Sequence, residues 1–182
     1  MEQEVLQYFT ALQMGDRQEQ FQAYDQLMAL LKDPVDWTYD VWENLVKDLS
    51  SPNPHDRSRA AQLLCALAAK SDPEERVLND FDAIWTVTYD EKFVTARHSL
   101  QSIWKIGIAG KAQWELAVSH LANRYLKCKD EKNHTLIRFD IIESLRKLYD
   151  ATGEERLKGL AKSLIDQEHD IKYRKKYANV WR

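Results

Sequence analysis

One arrangement recurs along this chain of 182 residues: an arginine followed by apolar residues three, six and seven positions later. Steps of this size return to one face of an α-helix, because the helix has 3.6 residues per turn. Successive copies begin 40, 41 and 36 residues apart, and Ser144 is the one polar residue at the following positions. A period near 40 residues predicts a fold built from similar units. The repeat arginines are Arg57, Arg97, Arg138 and Arg174.

A second amphipathic stretch precedes each arginine-containing helix, so every unit reads as a helical pair. A weaker fifth copy has Gln20 in the place of the arginine. Short segments with Gly, Pro or Asp separate the stretches, and Thr152 with Glu155 is a candidate capping box before the last unit. We expect one domain, 1–182, with pairs at approximately 2–32, 37–70, 74–108, 111–149 and 154–182.

Composition agrees with an all-α fold. The chain has only five Gly and four Pro, and these are the residues that most disfavour helix interiors. A single helical pair cannot bury both of its apolar faces, whereas stacked pairs cover each other. The sequence therefore predicts an all-α chain folded as an α-α superhelix of about five pairs.

These pairs resemble HEAT repeats, in which the second helix typically opens with a small apolar residue, Arg, two residues and Ala. The resemblance implies a right-handed, armadillo-like α-solenoid whose second helices line a concave side that holds other macromolecules. It covers the whole chain and is weak in each repeat. The stretches that carry it are "ARHSL" at 96–100, "IRFDI" at 137–141, "YRKKY" at 173–177 and, more loosely, "DRSRA" at 56–60.

Helical phase predicts which side chains of the second helices point away from the core. Most of them are polar, so the concave face is either a solvated surface or a groove for a partner. The candidate binding residues are Arg59, Gln62, His98, Gln101, Ser102, Asp140, Glu143, Lys175, Lys176 and Asn179.

The repeat arginines have two interpretations. A row of guanidinium groups binds phosphates or carboxylates, or it joins successive pairs through carboxylates such as Glu91, Asp130 and Glu168. We expect the structural role. Five of the six tryptophans are in phase with apolar helix faces, and Trp37 is the one most free to be exposed.

Charge is distributed unevenly. Residues 1–90 contain 7 Lys+Arg and 17 Asp+Glu, and residues 91–182 contain 19 and 12. Halves of opposite charge could dock charged partners or a second copy head to tail, or the imbalance is ordinary variation in solvated surface charge. We expect a scaffold that binds a protein or peptide. The alternative is a nucleic-acid-binding protein that uses the basic C-terminal half, or an enzyme similar to the HEAT-like alkylpurine DNA glycosylases, with Asp140 and Trp104 in its groove.

Motifs for catalysis are missing from the sequence. It has no P-loop, no glycine-rich dinucleotide turn and no HExxH or CxxC spacing, so we expect no catalytic residues, metal or cofactor. The acidic amphipathic start does not resemble a signal peptide, and no stretch is long and apolar enough for a membrane helix. Cys65 and Cys128 lie in apolar helical patterns, which predicts buried free thiols in a cytoplasmic protein.

Overall fold

The computed structural model describes residues 2–182 and confirms the prediction of an all-helical chain. No strand occurs within that range, and two 3-10 segments, Ile103–Ile108 and Cys128–Asp130, follow α6 and α7. The α-helices of the described residues are α1 (Gln3–Met14), α2 (Arg17–Leu30), α3 (Thr38–Asp48), α4 (Pro54–Lys70), α5 (Val77–Val87), α6 (Phe93–Leu100), α7 (Lys111–Lys127), α8 (His134–Thr152), α9 (Arg156–Asp166) and α10 (Ile171–Asn179).

Local sequence explains where several helices begin. Asp16 and Glu19 form a reciprocal capping box at the start of α2, each side chain accepting a hydrogen bond from a backbone amide near the other. Asn53 caps α4 through its side-chain oxygen, and Pro54 occupies the first helical position. The Asp170 carboxylate caps α10. These residues satisfy backbone amides that the helix itself leaves without partners.

The second half of the predicted pair 74–108 differs from a regular helix. α6 ends at Leu100, and the segment Ile103–Ile108 tightens into a 3-10 helix that contacts α4, α7 and α8. A Cβ atom at Gly107 would come within 3.0 Å of the Leu148 side chain. The segment therefore packs so closely against α8 that only glycine fits at this position without a shift.

The predicted capping box at Thr152 and Glu155 is wrong. Thr152 is the last residue of α8 and donates a hydrogen bond from its hydroxyl to the Leu148 carbonyl oxygen. Gly153 follows with a φ of +67° and ends the helix. Glycine adopts this left-handed conformation without strain, so the signal at this point ends α8 instead of starting α9.

Helices contact each other in a regular order. Each even-numbered helix contacts the next one, α2 with α4, α4 with α6, α6 with α8 and α8 with α10, and α3 contacts α5 as α7 contacts α9. A set of side-chain hydrogen bonds joins residues between 30 and 47 positions apart. Among these, the Tyr24 hydroxyl donates to Gln62 and the Trp42 indole donates to Asp80, each 38 residues away.

The buried side chains form one hydrophobic cluster that extends from Val5 in α1 to Tyr177 in α10. Trp42, Phe81 and Tyr125 are among its largest fully buried members. The accessible surface is 10047 Å², whereas a compact monomer of 21.4 kDa is expected to expose about 9,100 Å². The chain thus has roughly a tenth more surface than a compact domain of its mass.

Candidate partner-binding surface

Two of the repeat arginines form bidentate bridges to carboxylates further along the chain. Arg57 Nε donates to Asp90 Oδ2 over 2.6 Å, and its Nη2 donates to Oδ1 over 3.0 Å. Arg97 binds Asp140 in the same way, with both distances 2.7 Å. The planar guanidinium matches the two carboxylate oxygens, which makes these hydrogen bonds directional as well as charge-assisted.

Arg138 forms a third bridge, from Nη1 to Glu168 Oε2 over 2.8 Å, and its Nε donates to the Tyr125 carbonyl oxygen over 3.2 Å. Glu168 is the partner that the sequence predicts. The other two predicted partners, Glu91 and Asp130, are wrong. Both are exposed, whereas the carboxylates that reach the arginines are more deeply enclosed.

The bridges alter the titration of their carboxyl groups. The hydrogen bond from Arg57 lowers the pKa of Asp90 below its ordinary value, and the Lys92 amide contributes in the same direction. Burial opposes ionisation of Glu168, but the Asp170 amide and the Arg138 guanidinium together still lower its pKa. Both side chains are therefore held in the ionised form that the arginines require.

Several predicted binding residues are occupied by contacts within the chain. Arg59 Nη2 donates to the Gln20 side chain over 2.8 Å, and Gln62 accepts the Tyr24 hydroxyl. Ser102 is buried and donates to the His98 carbonyl oxygen. Arg59 and Gln62 join α4 to α2, so only part of their polar surface is available. Ser102 is wrong as a surface residue because it is buried and bonded within its own helical turn.

Asp140 is also wrong as an exposed groove residue. Its side chain is 0% exposed, and its oxygens accept hydrogen bonds from Arg97 Nε and Nη2 and from Gln101 Nε2. Helical phase placed Asp140 on the outer side of α8, but the Arg97 side chain covers it. Because Asp140 is buried under Arg97 and Gln101, it is not placed to meet a damaged base in a groove.

Four predicted binding residues remain exposed or half-exposed after these assignments, beside the exposed His98. Sequence reasoning missed two neighbours of this group, Phe139 and Lys147 on α8. The Lys176 amine lies 4.5 Å from the centre of the Phe139 ring. Phe139, Glu143 and Lys147 follow each other at steps of four, which places them along one side of α8. The four are Glu143, Lys175, Lys176 and Asn179.

We call Phe139, Glu143, Lys147, Lys176 and Asn179 the α8–α10 surface. The contact between Lys176 and Phe139 joins its two helices, and a cation over an aromatic face is attracted by the ring quadrupole. No carboxylate of residues 2–182 pairs with Lys147 or Lys176. The α8–α10 surface therefore presents two unpaired lysines, one of them over an aromatic ring, together with the half-exposed carboxylate of Glu143.

Arg174 differs from the other repeat arginines. It lies on α10, it is exposed, and within the described range no carboxylate pairs with it. The neighbouring Ile171 is 59% exposed. The fourth repeat position thus keeps the residue type but has no bridge of the kind that Arg57, Arg97 and Arg138 form.

The tryptophans contribute to the core, with one correction. Trp42 is fully buried, and the remaining four predicted core tryptophans are partly buried against the core. Trp37, the tryptophan that the sequence leaves most free to be exposed, is only 5% exposed and packs edge-on against Phe9 at 5.9 Å between ring centres. It precedes α3 at the point where α1 covers it, so its place outside a helical pattern did not mean exposure.

A cavity of about 280 Å³ lies where α5 and α6 meet α7 and α8. Buried Arg124 lines it, donates to Thr88 and Glu131, and lies 3.5 Å from the centre of the Tyr89 ring. Arg97 and Lys132, together with Asp90 and Glu91, also line the cavity. Three cations and three acids therefore line it, and this balance favours neither an anionic nor a cationic ligand.

Both cysteines are buried free thiols, as the sequence predicts. Burial raises the pKa of Cys65 to about 12 and also raises the pKa of Cys128, so both thiols are protonated at neutral pH and weakly nucleophilic. In the part of the chain that the structure describes, no group of three His, Cys, Asp or Glu side chains is arranged to hold a metal ion. None of the described helices has the length and apolar character to span a membrane.

Comparison with known protein families and with curated proteins finds no match to this chain. Its function is therefore inferred from the geometry of its own residues.

Proposed function

We propose that this chain is a HEAT-like α-solenoid scaffold of five helical pairs that binds a protein or peptide on its concave face. The order of helix contacts supports this arrangement, because even-numbered helices contact each other in sequence. The three arginine bridges support it as well, since each joins one predicted pair to the next. An accessible surface above that of a compact domain agrees with stacked pairs.

In this arrangement the even-numbered helices line the concave face. Bridges and inter-pair hydrogen bonds occupy most polar side chains of α4 and α6, so little of their hydrogen-bonding capacity is free for a partner. The α8–α10 surface is different because Lys147 and Lys176 are exposed and unpaired, and the Lys176 amine lies over the Phe139 ring. This is the observation that carries the proposal.

The partner segment that fits the α8–α10 surface is acidic and has an apolar or aromatic side chain. Its carboxylates would pair with Lys147 and Lys176, which guide encounter and orientation. Its apolar group would cover the exposed part of Phe139, since aromatic anchors contribute much of the binding energy in protein interfaces.

Affinity capture from the native host tests the proposal. The double variant Lys147→Glu with Lys176→Glu reverses the charge of the α8–α10 surface and should weaken capture of the main protein partner about tenfold or more. Lys47→Glu is the matched control, because Lys47 is an exposed lysine on α3, outside the concave face. Circular dichroism of all variants should remain that of the unaltered protein.

Equal capture by the double variant and the control would contradict the proposed site. Capture that disappears after nuclease treatment would contradict the protein-binding function and favour nucleic acid. Direct titration with duplex and single-stranded oligonucleotides distinguishes these outcomes, because binding to phosphates weakens steeply as salt rises.

A further inference from the structure

Arg174 is the starting point. Arg57, Arg97 and Arg138 each bind a carboxylate that follows them by 33, 43 and 30 residues. Arg174 stands in the same repeat position, is exposed, and has no carboxylate partner in residues 2–182. The repeat thus has a fourth arginine, on α10, whose guanidinium is available to bind a carboxylate of another molecule.

Net charge differs between the first and the last predicted pair. Residues 154–182 contain 8 Lys+Arg and 5 Asp+Glu, a net charge of +3, and residues 2–32 contain 2 and 5, a net charge of −3. Two surfaces of opposite charge attract each other and are steered into contact.

Both of these pairs also expose apolar side chains. A shallow groove of about 840 Å³ lies between α1 and α2, and Met14, which lines it, is 83% exposed. Tyr8, Ala11 and Ala23 supply further apolar lining. Ile171 is exposed on α10. Terminal units of a stacked fold normally present polar outer faces, so a partner that docks on these two pairs would also cover their exposed apolar groups.

We propose that the basic last pair of one copy of this chain docks on the acidic first pair of a second copy, head to tail. Within the chain, one side of α10 contacts α8. On the opposite side of α10, helix α2 of the second copy would continue the row of even-numbered helices. Arg174 then pairs with a carboxylate on α2 of the second copy. Asp25 is the candidate, because it is exposed and its side chain accepts no hydrogen bond from the described residues of its own copy. Ile171 enters the groove beside Met14.

The two docking surfaces are different, so the contact is heterologous. A heterologous contact that does not close into a ring extends into open chains of copies. Association should therefore increase continuously with protein concentration instead of stopping at a dimer. It should weaken between about 0.1 M and 1 M salt, because ions screen the opposite charges.

Sedimentation equilibrium with variants that block one surface each provides the test. Met14→Lys places a cation in the first-pair groove, and Arg174→Glu reverses the charge on α10. Each variant alone should associate about tenfold or more weakly than the unaltered protein. An equimolar mixture should form a one-to-one dimer, because each variant supplies the surface that the other has lost.

Leu126→Lys is the control, since Leu126 is exposed on α7, outside both surfaces, and it should associate normally. The proposal is overturned if the unaltered protein stays monomeric at low salt up to near-millimolar concentration. It is also overturned if the mixture of blocked variants stays monomeric. The α8–α10 surface is intact in both blocked variants, so partner capture can fail or succeed independently of this result.

Discussion

At the scale of single residues, the arginine bridges link groups that lie in successive predicted pairs. Arg57 and Asp90 are enclosed, with side-chain exposures of 15% and 5%. Desolvation of both charges is costly, and good bidentate geometry offsets that cost. Removal of one partner leaves the other charge enclosed without compensation, so a single substitution in this bridge should strongly destabilise the folded state.

Arg57→Leu should lower the free energy of unfolding by about 3 kcal/mol, because Asp90 loses its guanidinium partner inside the protein. Chemical denaturation measures this change. Arg174→Leu is the matched control at the same repeat position, and a change within about 0.5 kcal/mol is expected since its guanidinium is exposed and unpaired. Similar losses for both variants would contradict the assigned difference between the two arginines.

Asp90→Asn should change how stability depends on pH. The pKa of Asp90 is lowered from an ordinary value of 3.8, so its ionised form stabilises the folded state. That contribution is fully present above the ordinary value and is lost as pH falls through the lowered one. Denaturation at a series of pH values should show a constant difference from the unaltered protein near neutrality.

The difference should shrink once the pH falls below 3.8. Asp82→Asn, a change at an exposed residue of α5, should show no comparable pH-dependent difference. A difference for Asp90→Asn that is independent of pH down to the acid-unfolded state would contradict the role of the Arg57 bridge.

Helical periodicity predicted that the repeat arginines lie in equivalent places on successive second helices, but it did not identify all of the carboxylates that they bind. The rotation of one pair against the next decides which carboxylate reaches the guanidinium, and that rotation has no signature in a single helix. Asp140 is the clearest example. Its phase on α8 indicates exposure, but the side chain of Arg97 from another helix covers it.

At the scale of secondary-structure elements, helical periodicity and the helix-breaking Gly and Pro residues predicted the helical stretches well. They predicted the turns between helices less well. Thr152 has the sequence of an N-cap but ends α8, because Gly153 allows the left-handed conformation directly after it. The 3-10 segment Ile103–Ile108 was missed for a related reason. Its apolar pattern continues that of α6, and only the close packing of Gly107 against Leu148 changes its geometry.

Gly153→Ala should lower the free energy of unfolding by about 1 kcal/mol, because alanine is strained at a φ of +67°. Gly159→Ala provides the opposite case. Gly159 lies within α9 with open space around it, so alanine should raise stability by about 0.5–1 kcal/mol. Thermal and chemical unfolding of both variants measures the two changes in stability. Changes of the same sign would contradict the assigned end of α8.

At the scale of the whole molecule, composition and the period near 40 residues predicted an all-helical chain. The uneven charge was equally visible in the sequence. The α8–α10 surface was only half predicted, because Phe139 and Lys147 are ordinary residues in their own helix and acquire meaning beside Lys176. A binding surface that two helices share depends on their packing, which residue spacing within one helix does not encode.

The proposed stack of five pairs is the central claim, and small-angle X-ray scattering tests it most directly. Met14→Lys at high salt is the suitable sample, since both conditions suppress self-association. Pairs spaced about 10 Å apart give a stack about 50 Å long and a radius of gyration of about 18 Å. A compact domain of the same length has a radius of about 16 Å, and a measured value at or below that figure would contradict the stacked arrangement.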